Sequence, residues 1–269
     1  MLQYSGDRPR VRSAVKNDRV YPWVRQRDMI KTLFQKKNGV KLYGVITGPV
    51  MLLLQYGIYL IANAIAQRVG GTPYVPKLAV DGLIPLIPVF IIPYYWSYAF
   101  WAMGPMAVSK CESGHFLDYL ASYLFTCLIS AVIIVFAPTC MDRVAEGLYD
   151  LPTEGALWWL LRFCYDHDGG PMAYNLLPSF HCINSVTAFL GVAGRDEVPL
   201  WYRIYSCAMM LVIFASTLFI KQHFVLDVIV SIILACAVFL LCKRFHAGNI
   251  FLRPFSAVMR KCGTDKTDV

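Results

Sequence analysis

The chain has 269 residues, 57% of them hydrophobic and 16% charged, and its formal net charge is +8. Soluble domains of this length run at about 45–50% apolar and about 25% charged. Here the apolar excess is gathered into long runs separated by short polar connections, which excludes an ordinary soluble fold and leaves no room for a second globular unit.

Residues 1–42 read as a basic tail. The first 44 residues hold eleven Lys/Arg against three Asp/Glu, so the charge excess of the whole chain equals that of this segment. The segment is too long and too polar to be the leading region of a signal peptide. A basic arm beside a membrane is drawn to anionic headgroups. Membrane lipids are therefore the expected partner, and nucleic acid is not.

Six spans follow, at about 43–66, 83–108, 116–138, 181–194, 200–220 and 223–243, predicting an all-α, six-helix transmembrane bundle over 43–243 with a C-terminal tail at 244–269. Pro85, Pro88 and Pro93 predict kinks or breaks in the second span. The fourth falls short of the roughly 20 residues needed to cross the hydrocarbon core. With the N-terminus placed in the cytoplasm, the cytoplasmic segments carry twenty Lys/Arg. The outer ones carry five: Arg68, Lys77, Arg143, Arg162 and Lys221. That bias puts both termini inside. The short loops suggest a bacterial plasma membrane.

The longest outer loop, about 139–180, holds six acidic residues. Its stretch Ala156 to Tyr165, with Trp158 and Trp159, suits a helix lying in the membrane interface. It either roofs a site or only anchors the loop. Cys140 and Cys164 share this loop and either pair or remain free thiols. No C-x-x-C pair occurs among the nine cysteines, which argues against a zinc or redox site.

Polar residues at membrane depth are costly and ask for a reason. Two clusters fall on the outer face under the charge-count topology. Pro178-Ser179-Phe180-His181 opens the fourth span, and Ser216 to Asp227 joins the fifth to the sixth. His223 and Asp227 are four apart at a helix start, so the acid can accept the imidazole Nδ1–H and leave Nε2 free as a nucleophile. Ser179 is a good N-cap, its helix N-terminus is an anion site, and His181 lies in the first turn beside it. A guanidinium such as that of Arg143 suits bidentate phosphate binding. His167, between Asp166 and Asp168, reads as a solvated loop residue, and His115 and His246 fall on the cytoplasmic side.

Together these residues resemble the type-2 phosphatidic acid phosphatase superfamily. Its motifs are K-x-x-x-x-x-x-R-P, P-S-G-H and S-R-x-x-x-x-x-H-x-x-x-D. Pro178-Ser179-Phe180-His181 is similar to the second, Ser216 through His223 to Asp227 matches the spacing of the third, and Arg143 represents the first. The resemblance implies catalysis by His223, His181 and Asp227, with His223 attacking phosphorus to form a phosphohistidine, Asp227 orienting it and His181 protonating the leaving group. Ser179, Arg143, Ser216 and Lys221 would hold phosphate oxygens. Neither a metal nor another cofactor is required, because Arg and helix N–H groups neutralise the developing charge.

The chain departs from the motifs at Phe136, Val144, Phe180 and Thr217, which stand in place of Lys, Pro, Gly and Arg. Loss of the Lys and Arg looks like the inositol-phosphorylceramide-synthase and sphingomyelin-synthase branch. Three readings follow. One is a lipid phosphatase acting on a phosphate or pyrophosphate of a phospholipid, isoprenoid or sphingolipid. The second is a lipid phosphotransferase moving a phospho-headgroup from a diester to an alcohol. The third is a non-catalytic transporter or pseudoenzyme.

Overall fold

The prolines of the predicted second span decide where its helix begins. In a computed structural model, which describes residues 36–37, 39–69, 71–152 and 154–251, 3₁₀ turns run over Ala79–Leu83 and Pro88–Phe90, with Pro85 in the link between them and Pro88 opening the second. The helix itself starts at Ile91. A proline has no N–H to give to a ladder and tolerates the first turn of a helix but not its middle. The expected span of 83–108 is thus shortened to 18 helical residues. Residues 1–35 and 38 of the basic tail and residues 252–269 of the C-terminal tail lie outside the described residues.

A hairpin of β1 (Lys36–Lys37) and β2 (Val40–Lys41) leads into α1, Leu42–Val69. There follow α2 (Ile91–Val108), α3 (Ser113–Phe136), α4 (Ala156–His167), α5 (Phe180–Val192), α6 (Leu200–Phe219) and α7 (Val225–Phe245). The 139–180 loop also carries an antiparallel pair, β3 (Cys140–Asp142) with β4 (Met172–Tyr174). The architecture is mostly helical, with these two small ribbons beyond the all-α expectation. Among the described residues, four helices, α1, α3, α6 and α7, are long and apolar enough to cross a membrane, which makes this a multi-pass membrane protein.

Helix α5, expected at 181–194, has 13 residues, about 20 Å at 1.5 Å per residue. It cannot cross alone. It sits at the centre instead, packed against α2, α3, α6 and α7, and nine of its residues are buried. Small side chains permit close packing elsewhere. Gly44 and Gly48 let α1 lie on α2, and a Cβ at Gly48 would collide with the Ala102 carbonyl.

The apolar pattern is turned outward. Leu53, Val132, Ile233 and Leu240 are exposed, whereas Ser122, Thr126, Ser130, Asn184 and Ser185 are buried. The buried hydroxyls of α3 donate one turn back: Ser122 to the Tyr119 carbonyl, Thr126 to Ser122 and Ser130 to Thr126. In a membrane such groups must be satisfied within the protein. Asp118 is also spent locally. It accepts the Gly248 N–H and faces His246 Nδ1 at 3.6 Å, docking the end of α7 against α3.

Candidate active site

The chain between α6 and α7 makes a tight turn. The Thr217 carbonyl accepts the N–H groups of both Gln222 and His223, and Lys221 takes a left-handed conformation with φ 53°. Helix α7 begins two residues after His223. Its first turn leaves N–H groups without helical partners, and Asp227 takes one of them: Phe224 N–H donates to Asp227 Oδ2 at 2.9 Å. The same oxygen faces His223 Nδ1 at 3.3 Å. Asp227 is fully buried and its Oδ1 has no partner. The i,i+4 spacing read from the sequence therefore puts acid and imidazole in contact.

The second cluster reaches the same place from α5. Ser179 is the N-cap, its Oγ accepting the Cys182 N–H at 3.4 Å. Its own N–H donates to Ser231 Oγ at 2.7 Å, and Ser231 Oγ donates to the Asp227 carbonyl. Ser231 thus staples the start of α5 to the first turns of α7, although the sequence reading assigned it nothing. It lies four residues after Asp227, on the same helix face, and that spacing was the available signal.

His181 stands across from His223, with the ring centroids 6.4 Å apart. It is held by an aromatic wall on α2. Tyr94 stacks on it at 4.1 Å, Trp101 meets it edge-on at 4.9 Å and Tyr98 at 5.7 Å. These three recur at helical spacing, one face of α2. Their role was missed because an aromatic stripe in a span reads as packing. His181 Nε2 is buried without a partner, a donor or acceptor left over for something the protein does not supply.

The 139–180 loop covers this end of the bundle. Helix α4 packs Leu161, Cys164 and Tyr165 against Ile91, Tyr94, Ile220 and Phe224, and the Tyr165 hydroxyl donates to the Ile220 carbonyl at 2.7 Å. Helix α4 thus lies over the turn that carries His223, the position foreseen for a roof. Cys140 and Cys164 are free thiols. Burial pushes the Cys164 thiol up to about 11.

Arg143 is fully buried. Its Nη1 donates to the carbonyls of Tyr165, Asp168 and Gly170, and its Nη2 to Asp168 Oδ2 at 3.0 Å and Gln222 Oε1 at 2.7 Å. The terminal nitrogens, expected to clasp phosphate, are spent on the protein. Nε alone is unpartnered. Gln222, next to His223, also donates to Cys164 Sγ, so Arg143 and Gln222 tie the roof to the turn that carries the imidazole.

Ser216 donates its hydroxyl to the Ile213 carbonyl within α6. Lys221 turns onto the carbonyls of Asp81 and Ile84, and burial lowers its pKa. A cleft of about 40 Å³, room for a few waters, adjoins His223 and is lined by Lys77, Asp81, Glu146, Lys221 and Phe224. His167 is exposed and lies tilted against the Phe163 ring.

Two polar segments far apart in sequence thus converge on one pair of histidines, an acid and a helix N-terminus, the arrangement of a nucleophile with its orienter facing a proton carrier. The profile of the PAP2 superfamily matches residues 83–241, more than half of the chain. The chain belongs to the PAP2 superfamily, and membership implies phosphatase- or phosphotransferase-type chemistry on phosphorylated substrates. The matched stretch runs from the proline-rich approach to α2 nearly to the end of α7. No curated protein and no solved structure matches the chain.

Proposed function

We propose that the protein is a membrane lipid phosphatase working through a phosphohistidine on His223, with its chain crossing the membrane six times, through α1, α2, α3, α6 and α7 and through the segment around the short, enclosed α5, both termini cytoplasmic and the site on the outer face. The observation that carries this reading is the His223–Asp227 contact with the His181 ring 6.4 Å across from it.

Asp227 holds the proton of His223 on Nδ1, which leaves the Nε2 lone pair free to attack phosphorus. As the N–P bond forms, the P–O bond to the lipid breaks, and His181 gives its proton to the departing oxygen. Water then attacks the phosphohistidine, returns a proton to His181, and the P–N bond breaks to free His223 and phosphate. The N-terminus of α5, capped by Ser179, offers N–H groups and a positive dipole end to the phosphoryl oxygens. The Arg143 Nε–H adds a buried donor.

A second reading has its own support. The position of the family's Arg is held by buried Thr217, and that of its Lys by Phe136, which is 77% exposed. With the Arg143 ends and Lys221 occupied by protein acceptors, few cations remain for a doubly charged monoester. A phosphodiester carries less charge, so a phosphotransferase that passes the headgroup to an alcohol fits this scarcity.

The test is turnover by purified protein on phosphatidic acid, a polyprenyl diphosphate, and a phosphodiester lipid with an alcohol acceptor, each beside His223→Ala. Free phosphate released only with His223 present supports the phosphatase. Headgroup transfer without free phosphate supports the transferase. No His223-dependent turnover on any of them overturns both and favours a non-catalytic protein.

A further inference from the structure

The segment Leu78–Ile87 lies before α2, yet its polar groups are directed at the α6–α7 turn. Val225 N–H, at the first residue of α7, donates to Asp81 Oδ1 at 2.8 Å. Lys221 Nζ donates to the Asp81 carbonyl at 3.1 Å and to the Ile84 carbonyl. Ile87 N–H donates to the Phe219 carbonyl at 2.9 Å. The Phe90 and Phe219 rings pack 4.7 Å apart just beyond. These bonds meet residues 219, 221 and 225, on both sides of His223.

Asp81 is the hub. It is 5% exposed, and its second oxygen accepts the Leu78 N–H of its own 3₁₀ turn at 2.7 Å. Both carboxylate oxygens are therefore used, one to shape the segment and one to hold the start of α7. Asp81 and Asp227 divide the first N–H groups of that helix between them, Val225 to Asp81 and Phe224 to Asp227. Pro85 restricts the backbone within the same segment, and Pro88 follows directly on its last residue.

We infer that Asp81 is a positioning residue for the His223 nucleophile, with Leu78–Ile87 acting as a splint across the turn and Lys221 serving as its strut. This assignment takes Lys221 out of the phosphate-binding set. The kinetic part rests on the proposed role of His223, whereas the mechanical part does not.

The experiment compares wild-type protein in detergent with Asp81→Asn, Asp81→Ala and Lys221→Met. Kinetics use whichever of the three panel lipids the wild type turns over. Misplacing a reacting group by about 1 Å costs up to about 100-fold. We expect kcat to fall about 10- to 100-fold in Asp81→Ala and less in Asp81→Asn, which keeps one acceptor, with KM unchanged within about twofold. Lys221→Met should behave likewise, whereas loss of a phosphate ligand would raise KM. A merely structural Asp81 would lower the unfolding temperature and leave kcat per folded molecule intact, which overturns the assignment, as does a KM effect in Lys221→Met.

A substrate-free arm separates this inference from the proposed function. Diethyl pyrocarbonate modifies imidazoles in the resting protein, and peptide mass gives the rate at each histidine. The splint predicts at least threefold faster modification of His223 in Asp81→Ala, with exposed His167 unchanged. Equal rates at His223 would sink the splint even if the enzyme proves active. A faster rate with no turnover by the wild type would sink the catalytic reading and keep the splint.

Discussion

A histidine stands at each end of α5, and the two histidines are treated differently. Near its C-terminal end, His115 is saturated: Nε2 lies 2.7 Å from the Gly191 carbonyl and Nδ1 2.6 Å from Arg195 Nη2. Asp118, close by in sequence, has both carboxylate oxygens engaged. At the N-terminal end, His181 Nε2, Asp227 Oδ1 and Arg143 Nε are buried and unpartnered. Burial without a partner costs free energy. On the proposed reading, the first cluster serves structure and the second keeps its open atoms for a ligand. Histidine and carboxylate in proximity say little until their remaining atoms are accounted for.

The largest effect that would sharpen this contrast is at the open end. His223→Ala should abolish turnover, a loss of about 10⁴-fold or more, and His181→Ala should cost about 10²- to 10⁴-fold, both read as initial rates at equal folded protein. Retained activity in either would break the contrast. Next comes Arg143→Ala, which strands Gln222 Oε1 and the carbonyls of Tyr165 and Gly170 and should destabilise the fold by about 1–3 kcal/mol, read by thermal unfolding in detergent. At the closed end, His115→Ala should cost about 1–3 kcal/mol through the stranded Gly191 carbonyl and Arg195, with kcat within about twofold of wild type. A large drop in kcat there would show that the saturated cluster also serves chemistry. The last test concerns the roof. With its thiol pushed up to about 11 by burial, Cys164 holds less thiolate at pH 8 than an ordinary cysteine near 8.5. Alkylation by N-ethylmaleimide, followed by peptide mass, should be about 100-fold slower than for a free thiol.

What could be read from the sequence was what lies close in sequence. The Ser179 cap and the His223–Asp227 contact are separated by a helical turn or less, so local geometry nearly dictates them. The four long helices announce themselves by apolar length. The start of α2 was misplaced because apolar composition runs through Pro85 and Pro88, whereas the hydrogen-bond ladder does not. Arg143 was expected on phosphate because its protein partners, Tyr165, Asp168, Gly170 and Gln222, lie 22 to 79 residues away. Asp81 was invisible for the same reason, its contact with Val225 spanning 144 residues. Sequence periodicity carries no information about such partners. They follow only once the bundle is assembled.

The brevity of α5 has a consequence for how the protein lives in bilayers of different thickness. Helices exposed to lipid respond to hydrophobic mismatch by tilting or by deforming the membrane around them. Helix α5 is hemmed in by α2, α3, α6 and α7 and has no hydrocarbon length of its own to match. Its depth is set by its neighbours, so a thinner or thicker membrane should tilt the outer helices while His181 keeps its station against Tyr94.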